Sequence, residues 1–361
     1  MSDNFTARLG GQLREAALRE ERRGALSRTL LAARPRPAVA LGAFAAAVAA
    51  GIALLFTLVL GAPEPQPATP PGPRVVADLA LSDAFGATAR PAFGAMWLSD
   101  SSRGEILRVD LRTRRVTRRI PVGSEAALAT AAGSVWALRR GPGYQGGPLL
   151  RIGPATGRTI ARISLNRAAG GPFRGGSLIV AGGRVWALGP TGAVAVDPAS
   201  DRVVATIALG GSYTVSDAVV RDGELWLSRL DGSVTRFDAR TGRRLGQLPW
   251  RTNGLLVPFA GKLIEMSKDS VALIDPATGR ATWRRPLGTA LQDAQVNGSR
   301  LFVVGGDGPA TARDRVWQLD ARTGRVVGAL TMPEFGPAGI VPAGRGVWLV
   351  TVGGRAVIVE P

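Results

Sequence analysis

The chain is predicted to be an all-β, seven-bladed β-propeller closed by an N-terminal strand and preceded by a single transmembrane α-helix. Three observations predict it. A strand–turn–strand phrase returns about every 40 residues from residue 92 to the C-terminus, a period with only strand-type elements inside it. A near copy of one of those strands stands ahead of the first repeat, and an uncharged apolar run of 25 residues stands ahead of that.

Residues 1–37 form a cytoplasmic N-terminal segment with eight arginines against four acids. Phe5, Leu9, Leu13 and Ala17 recur at helical spacing among Arg8, Arg14 and Arg19. Two readings are open: a short amphipathic helix on lipid or on a partner, and a solvated tail that carries the topogenic charge. Residues 38–62 hold no charge. As a helix they would extend about 37 Å, enough to cross a hydrocarbon core of about 30 Å. A cleaved signal peptide is the rival, but the preceding segment is too long for its basic region and the apolar run too long for its core. Arginines crowd the N-terminal flank, while the twenty residues after the run hold only Arg74. The positive-inside rule therefore puts the N-terminus in the cytoplasm and the rest outside, in a single-pass cell-membrane protein. Residues 63–73 are proline-rich and read as an extended, semi-rigid spacer.

The ring occupies residues 74–361. Second strands align on Trp97, Trp136, Trp186, Trp226, Ile264, Phe302 and Trp348. Third strands end at Asp110, Gly153, Asp197, Asp238, Asp275, Asp320 and Glu360, so two separate anchors both give seven blades. Thr-Gly-Arg follows at 156–158, 241–243, 278–280 and 323–325, where glycine supplies positive φ and the Asp and Thr side chains can bond the turn's own amides. Gly182-Gly183, Asp222-Gly223 and Asn297-Gly298 mark tight hairpins between first and second strands. Each repeat is thus a four-stranded meander, and strands apolar on both sides place the core between blades. The last repeat reaches Pro361 without a fourth strand, and RVVADLAL at 74–81 nearly duplicates RVVATIAL at 202–209, a fourth strand. The N-terminal segment is expected to supply the missing strand and remove an exposed edge. Arg74, Arg115, Arg158, Arg202, Arg243, Arg280 and Arg325 would then ring one face.

The chain contains no histidine and no cysteine. Imidazole acid–base chemistry, a Ser-His-Asp triad, thiolate nucleophiles, His or Cys zinc sites and disulfides are all excluded. Carboxylates remain, but most Asp residues recur at the repeat's turn and are structural. The stretch Gly305-Gly306-Asp307-Gly308 opens no helix and lacks regular acidic spacing, so neither a phosphate loop nor a calcium loop is read there. No cofactor and no metal is expected. The formal net charge of +18 would suit an anionic partner, although the two lysines against 43 arginines also reflect a GC-rich coding bias. No nucleic-acid motif is present.

The phrase IDPATGR at 274–280, with the tryptophan strands of the other repeats, resembles the bacterial YVTN and PQQ-like β-propeller repeat proteins and the streptogramin lyase propellers. The resemblance covers residues 74–361 and implies blades rather than an activity. Lyases of that group use a histidine base, and quinoproteins of the wider group use vicinal cysteines with a calcium site. Neither set is present here, so what the resemblance implies is a recognition scaffold.

The leading functional reading is therefore a membrane-anchored extracytoplasmic binding, sensor or scaffold module without catalysis. Its partner would be an unknown extracytoplasmic ligand or envelope protein, with an anionic one favoured by the charge. The alternative is an extracytoplasmic, carboxylate-dependent hydrolase or lyase acting at the channel mouth. Loops between second and third strands and between successive blades converge at that mouth. They nominate Trp250, Arg251, Asn253, Asp293, Glu334, Arg174 and Tyr213 as binding residues. Trp250 is read as the start of an interblade loop, beside an arginine and an amide, on the mouth side of the ring.

Overall fold

A computed structural model describes residues 72–83, 85–140, 146–171, 173, 176–190, 192–209, 215–252, 254–306, 313–333, 337–351 and 353–361. The expected cytoplasmic segment, the apolar span and nearly all of the proline-rich spacer lie outside them. Within the described residues, 28 strands form seven four-stranded antiparallel sheets. These are the seven blades of an all-β propeller. Blades 1 to 6 span residues 85–121, 126–163, 177–208, 215–251, 255–286 and 290–333, each a meander in chain order. Blade 7 takes three strands from residues 337–360 and its outer strand from Arg74–Ala80.

That outer strand pairs antiparallel with Arg355–Glu360, from Arg74 opposite Glu360 to Ala80 opposite Arg355. The Arg355 guanidinium also bonds both Asp78 carboxylate oxygens across the seam. The N-terminal strand therefore closes the ring as expected, joining the two ends of the fold and leaving blade 7 with the same four strands as the rest.

The core consists of seven layers, one at each interface between adjacent blades. Trp136 and Leu149 of blade 2 pack on Val185 and Val196 of blade 3, and Met96 and Leu107 of blade 1 pack on Trp348 and Ile358 of blade 7. The other five interfaces follow the same plan. Second-strand tryptophans dominate because a wide ring fills the gap between two twisted sheets, provided its N–H finds an acceptor. Trp97 donates to Ala92 O at 3.1 Å, Trp136 to Ala131 O at 3.1 Å, and Trp186 to Ala239 O of the next blade at 2.9 Å.

The turn from third to fourth strand is built as the repeat predicts. Asp238 Oδ1 accepts from the amides of Arg240 (3.1 Å) and Thr241 (2.7 Å) and from the Thr241 hydroxyl (2.7 Å); Asp110, Asp275 and Asp320 repeat the pattern. Gly279 has φ of +69°, and the Trp250 indole of the preceding blade lies so close that a Cβ there would meet its Cγ at 2.5 Å. Glycine is thus required twice over, by backbone conformation and by the outer strand that leans across the turn.

Every outer strand carries a β-bulge near its start. The ladder skips residues 76, 117, 160, 204, 245, 282 and 327 in the seven blades. A bulge bends and twists the strand and interrupts its row of free amides and carbonyls, so the rim is a poor template for adding a further strand. This protects a rim on which Ile160 and Val204 are exposed.

Candidate functional site

The seven first strands enclose the central channel. The residues paired with the second-strand anchors are Arg90, Ala129, Ile179, Val219, Val257, Gln295 and Val341. Five are apolar, and the two polar ones lie in blades 1 and 6. Along this wall runs a cavity of about 1050 Å³. Leu178, Ile179, Val219, Leu256 and Val257 of blades 3 to 5 line it, Arg90 and Gln295 close it from across the ring, and Leu230 stands at its rim. Leu230 is 69% exposed, the most exposed large apolar side chain among the described residues. A second cavity of about 170 Å³ lies among Arg90, Asp293, Gln295 and Ile340.

Two carboxylates fix this wall. Asp217 Oδ1 accepts from the Ala218 amide at 2.7 Å, and its Oδ2 accepts from Leu256 N in the first strand of the next blade at 3.0 Å. Asp293 does the same with Ala294 N and with Ile340 N of the next blade, both at 2.7 Å. Each Asp directly follows a bulge in its first strand, which turns the side chain toward the neighbouring blade. Burial pushes the Asp293 carboxyl up to about 6, against the pull of the two amides and of the Gln295 side chain, and the nearby Asp217 charge adds to the rise. Burial likewise raises Asp217. Arg90 donates from Nη1 to Ala89 O at 2.8 Å; burial lowers its pKa and the charge of Asp293 raises it.

Of the nominated residues, the structure describes Asp293, Trp250 and Arg251, and it places Asp293 apart from the other two. Asp293 lies in the channel wall, on the first strand of blade 6. Trp250 is not in an interblade loop. It stands in the outer strand Arg244–Arg251 of blade 4, because a second irregularity, between Ser233 and Thr235 on the partner strand, lets that strand run on to Arg251. Its Nε1 donates to Pro276 O of blade 5 at 2.9 Å, and its indole is seated on that blade's Thr-Gly-Arg turn rather than on the mouth side. Arg251 donates from Nη1 to Asp231 O at 3.0 Å. Asn253, Glu334, Arg174 and Tyr213 lie outside the described residues.

Sequence reasoning passed over Arg90, Gln295, Leu230 and the pairing of Asp217 with Asp293. One signal was present: Asp-Ala occurs at the same offset before Trp226 and before Phe302. Among the described residues no cluster of three carboxylates could hold a metal ion. Among the described residues, the channel offers an apolar wall, one guanidinium, one amide and two carboxylates whose oxygens already serve main-chain amides.

No curated protein sequence matches this chain. Among solved structures, the computationally designed Ika8 protein is similar at 12% identity, with 80% of this chain and 99% of that chain covered and a TM-score of 0.61. BamB from Moraxella catarrhalis is similar at 13% identity over 80% of this chain and 100% of that one, with a TM-score of 0.55. BBS1N, solved in complex with ARL6DN, is similar at 12% identity over 80% and 96%, with a TM-score of 0.62. At these identities the three establish the propeller fold. A family model described as outer membrane protein assembly factor BamB matches residues 145–255 and 230–360, more than half of the chain. The chain therefore belongs to the family of outer membrane protein assembly factor BamB.

Proposed function

We propose that this chain is a single-pass, membrane-anchored binding module. Its N-terminus is cytoplasmic, its ring is extracytoplasmic, and its channel mouth receives an apolar segment of an envelope protein without catalysis. The observation that carries this reading is the apolar cavity of about 1050 Å³ with Leu230 exposed at its rim. An exposed leucine beside a concave apolar wall is the arrangement that protein and ligand contacts use. The family's description as an assembly factor of the outer membrane, and the capture of a similar propeller, BBS1N, with a protein partner, support a protein rather than a metabolite as occupant. The charge-free run at 38–62 supports the anchor.

The enzymatic alternative draws on Asp217 and Asp293, two buried carboxylates with raised pKa values that interact electrostatically. Their geometry favours a structural role: the same position in two blades, with both oxygens of each engaged by main-chain amides. The test is co-purification of the full chain from its envelope in mild detergent. Leu230→Asp should lose, by roughly tenfold or more, a protein that the wild type retains, with an unchanged melting midpoint. Equal recovery by both chains refutes the mouth as the binding surface.

A further inference from the structure

The geometry points to the Thr-Gly-Arg face of the ring as a docking surface for anionic phospholipid headgroups. Arg74, Arg115, Arg158, Arg202, Arg243, Arg280 and Arg325 occupy the same position in the seven blades, at or just before the start of the outer strand, and all are exposed. Among the described residues none of the seven side chains makes an ion pair or a side-chain hydrogen bond.

Acids share this face, Glu360 opposite Arg74 among them. The turn aspartates direct Oδ1 into their own backbone, and Asp197, Asp201 and Glu224 are paired with Arg184, Arg151 and Arg236. On the opposite face Arg140, Arg119 and Arg103 are paired with Glu125, Glu105 and Asp83, while Arg167 and Lys268 are exposed. Seven exposed guanidiniums, one from each blade, give this face a ring of positive charge. A fixed ring of arginines attracts a negatively charged bilayer within a Debye length of about 8 Å.

The direction of chain entry agrees. Gly72 and Pro73 pack against Gly328 in the outer strand of blade 6, where a Cβ at Gly328 would meet Pro73 Cδ at 2.6 Å, and Arg74 then begins the closing strand on the arginine face. The first described residues of the ring thus enter on this face. Phe93, in a first-to-second strand turn of the same face, is 43% exposed and adds an aromatic of the kind that sits at headgroup level. An acidic protein could meet the same charges, but the point of entry favours lipid.

The proposal rests on the membrane-anchored reading, and the test separates the two. Because the native chain has no cysteine, a dye can be placed on Ala277→Cys, in the arginine-face turn, or on Asp269→Cys, on the opposite face. The full chain is mixed with vesicles of phosphatidylcholine alone or with about 30% phosphatidylglycerol, each carrying a headgroup acceptor. Flotation with phosphatidylcholine alone shows the anchor. Energy transfer from position 277 is then expected to rise roughly twofold or more with phosphatidylglycerol, to fall back at high salt, and to exceed that from position 269. Replacing Arg158, Arg202, Arg243 and Arg280 by Gln should abolish the rise without moving the melting midpoint. Flotation only with phosphatidylglycerol would sink the anchor while supporting the docking face. Transfer from 277 that ignores lipid charge or the four substitutions, or flotation with neither vesicle, would overturn the docking face.

Discussion

Asp293 and Ile340 tie two blades together: the carboxylate of one first strand accepts the main-chain amide of the next at 2.7 Å, deep in the channel wall. The Asp293 pKa stands at about 6, above the ordinary carboxyl value, chiefly through burial. A raised acid pKa means that the unfolded chain ionises first. Its stabilising contribution is full below about pH 4 and is lost as pH rises through about 6. Relative to Asp293→Asn, wild-type unfolding free energy should therefore fall by up to about 3 kcal/mol between pH 4 and 7. Denaturant titrations across that range decide it, and parallel profiles for the two proteins would remove Asp293 as the titrating group. The exposed turn aspartates work in the opposite sense. Asp110, Asp238 and Asp275 are held below the usual range by their turn hydrogen bonds, so their contribution is lost on acidification.

Trp250 is expected to act through packing. Its indole covers Gly279 and donates to Pro276 O, joining blades 4 and 5. Trp250→Ala should cost about 2 kcal/mol or more in stability, less than a fully buried tryptophan because this one is half-buried. Recovery of the envelope partner should be unchanged. A stable variant that loses its partner would return Trp250 to the binding site.

Closure is testable at the strand level. A chain beginning at residue 82 lacks Arg74–Ala80, exposes the edge of blade 7 and strips Val76, Ala77 and Leu79 from the interface with blade 1. Its melting midpoint should fall by roughly 10 °C or more, or the chain should aggregate through the open edge. Equal midpoints with and without the strand would contradict a closing role.

Topology follows from the arginine asymmetry about residues 38–62. In intact cells an impermeant maleimide should label a cysteine placed at Ala277 and spare one placed at Ala17. The reverse pattern would invert the orientation, and labelling at both sites would argue against a membrane span.

The sequence made the fold legible because the repeat writes its anchors in distinctive residues. Trp97 to Trp348 mark the second strands, and Asp110 to Asp320 with Thr-Gly-Arg mark the turns. Turns with ordinary residues were invisible. Phe93-Gly94, Ala132-Gly133 and Ala260-Gly261 take positive φ at both positions, and nothing about phenylalanine or alanine announces that. Trp250 was misplaced because an irregular ladder lengthens its strand, and ladder irregularities leave no spacing signature. The candidate site was legible only in fragments. Arg90, Asp217 and Gln295 come from blades 1, 4 and 6, and ring closure alone brings them to one channel. Leu230 reads in sequence as one more apolar residue at a strand end; its significance is its exposure beside a cavity.

Photo-cross-linking of the full chain in its native envelope tests the central claim most directly, with a photoreactive residue at Leu230 on the cavity rim or, for comparison, at Ile160 on the outer rim. The account expects a discrete protein adduct from position 230 and none from position 160, where the bulged outer strand resists pairing. An adduct from position 160 alone, or none from position 230 in cells where the chain is folded and membrane-bound, would contradict binding at the channel mouth.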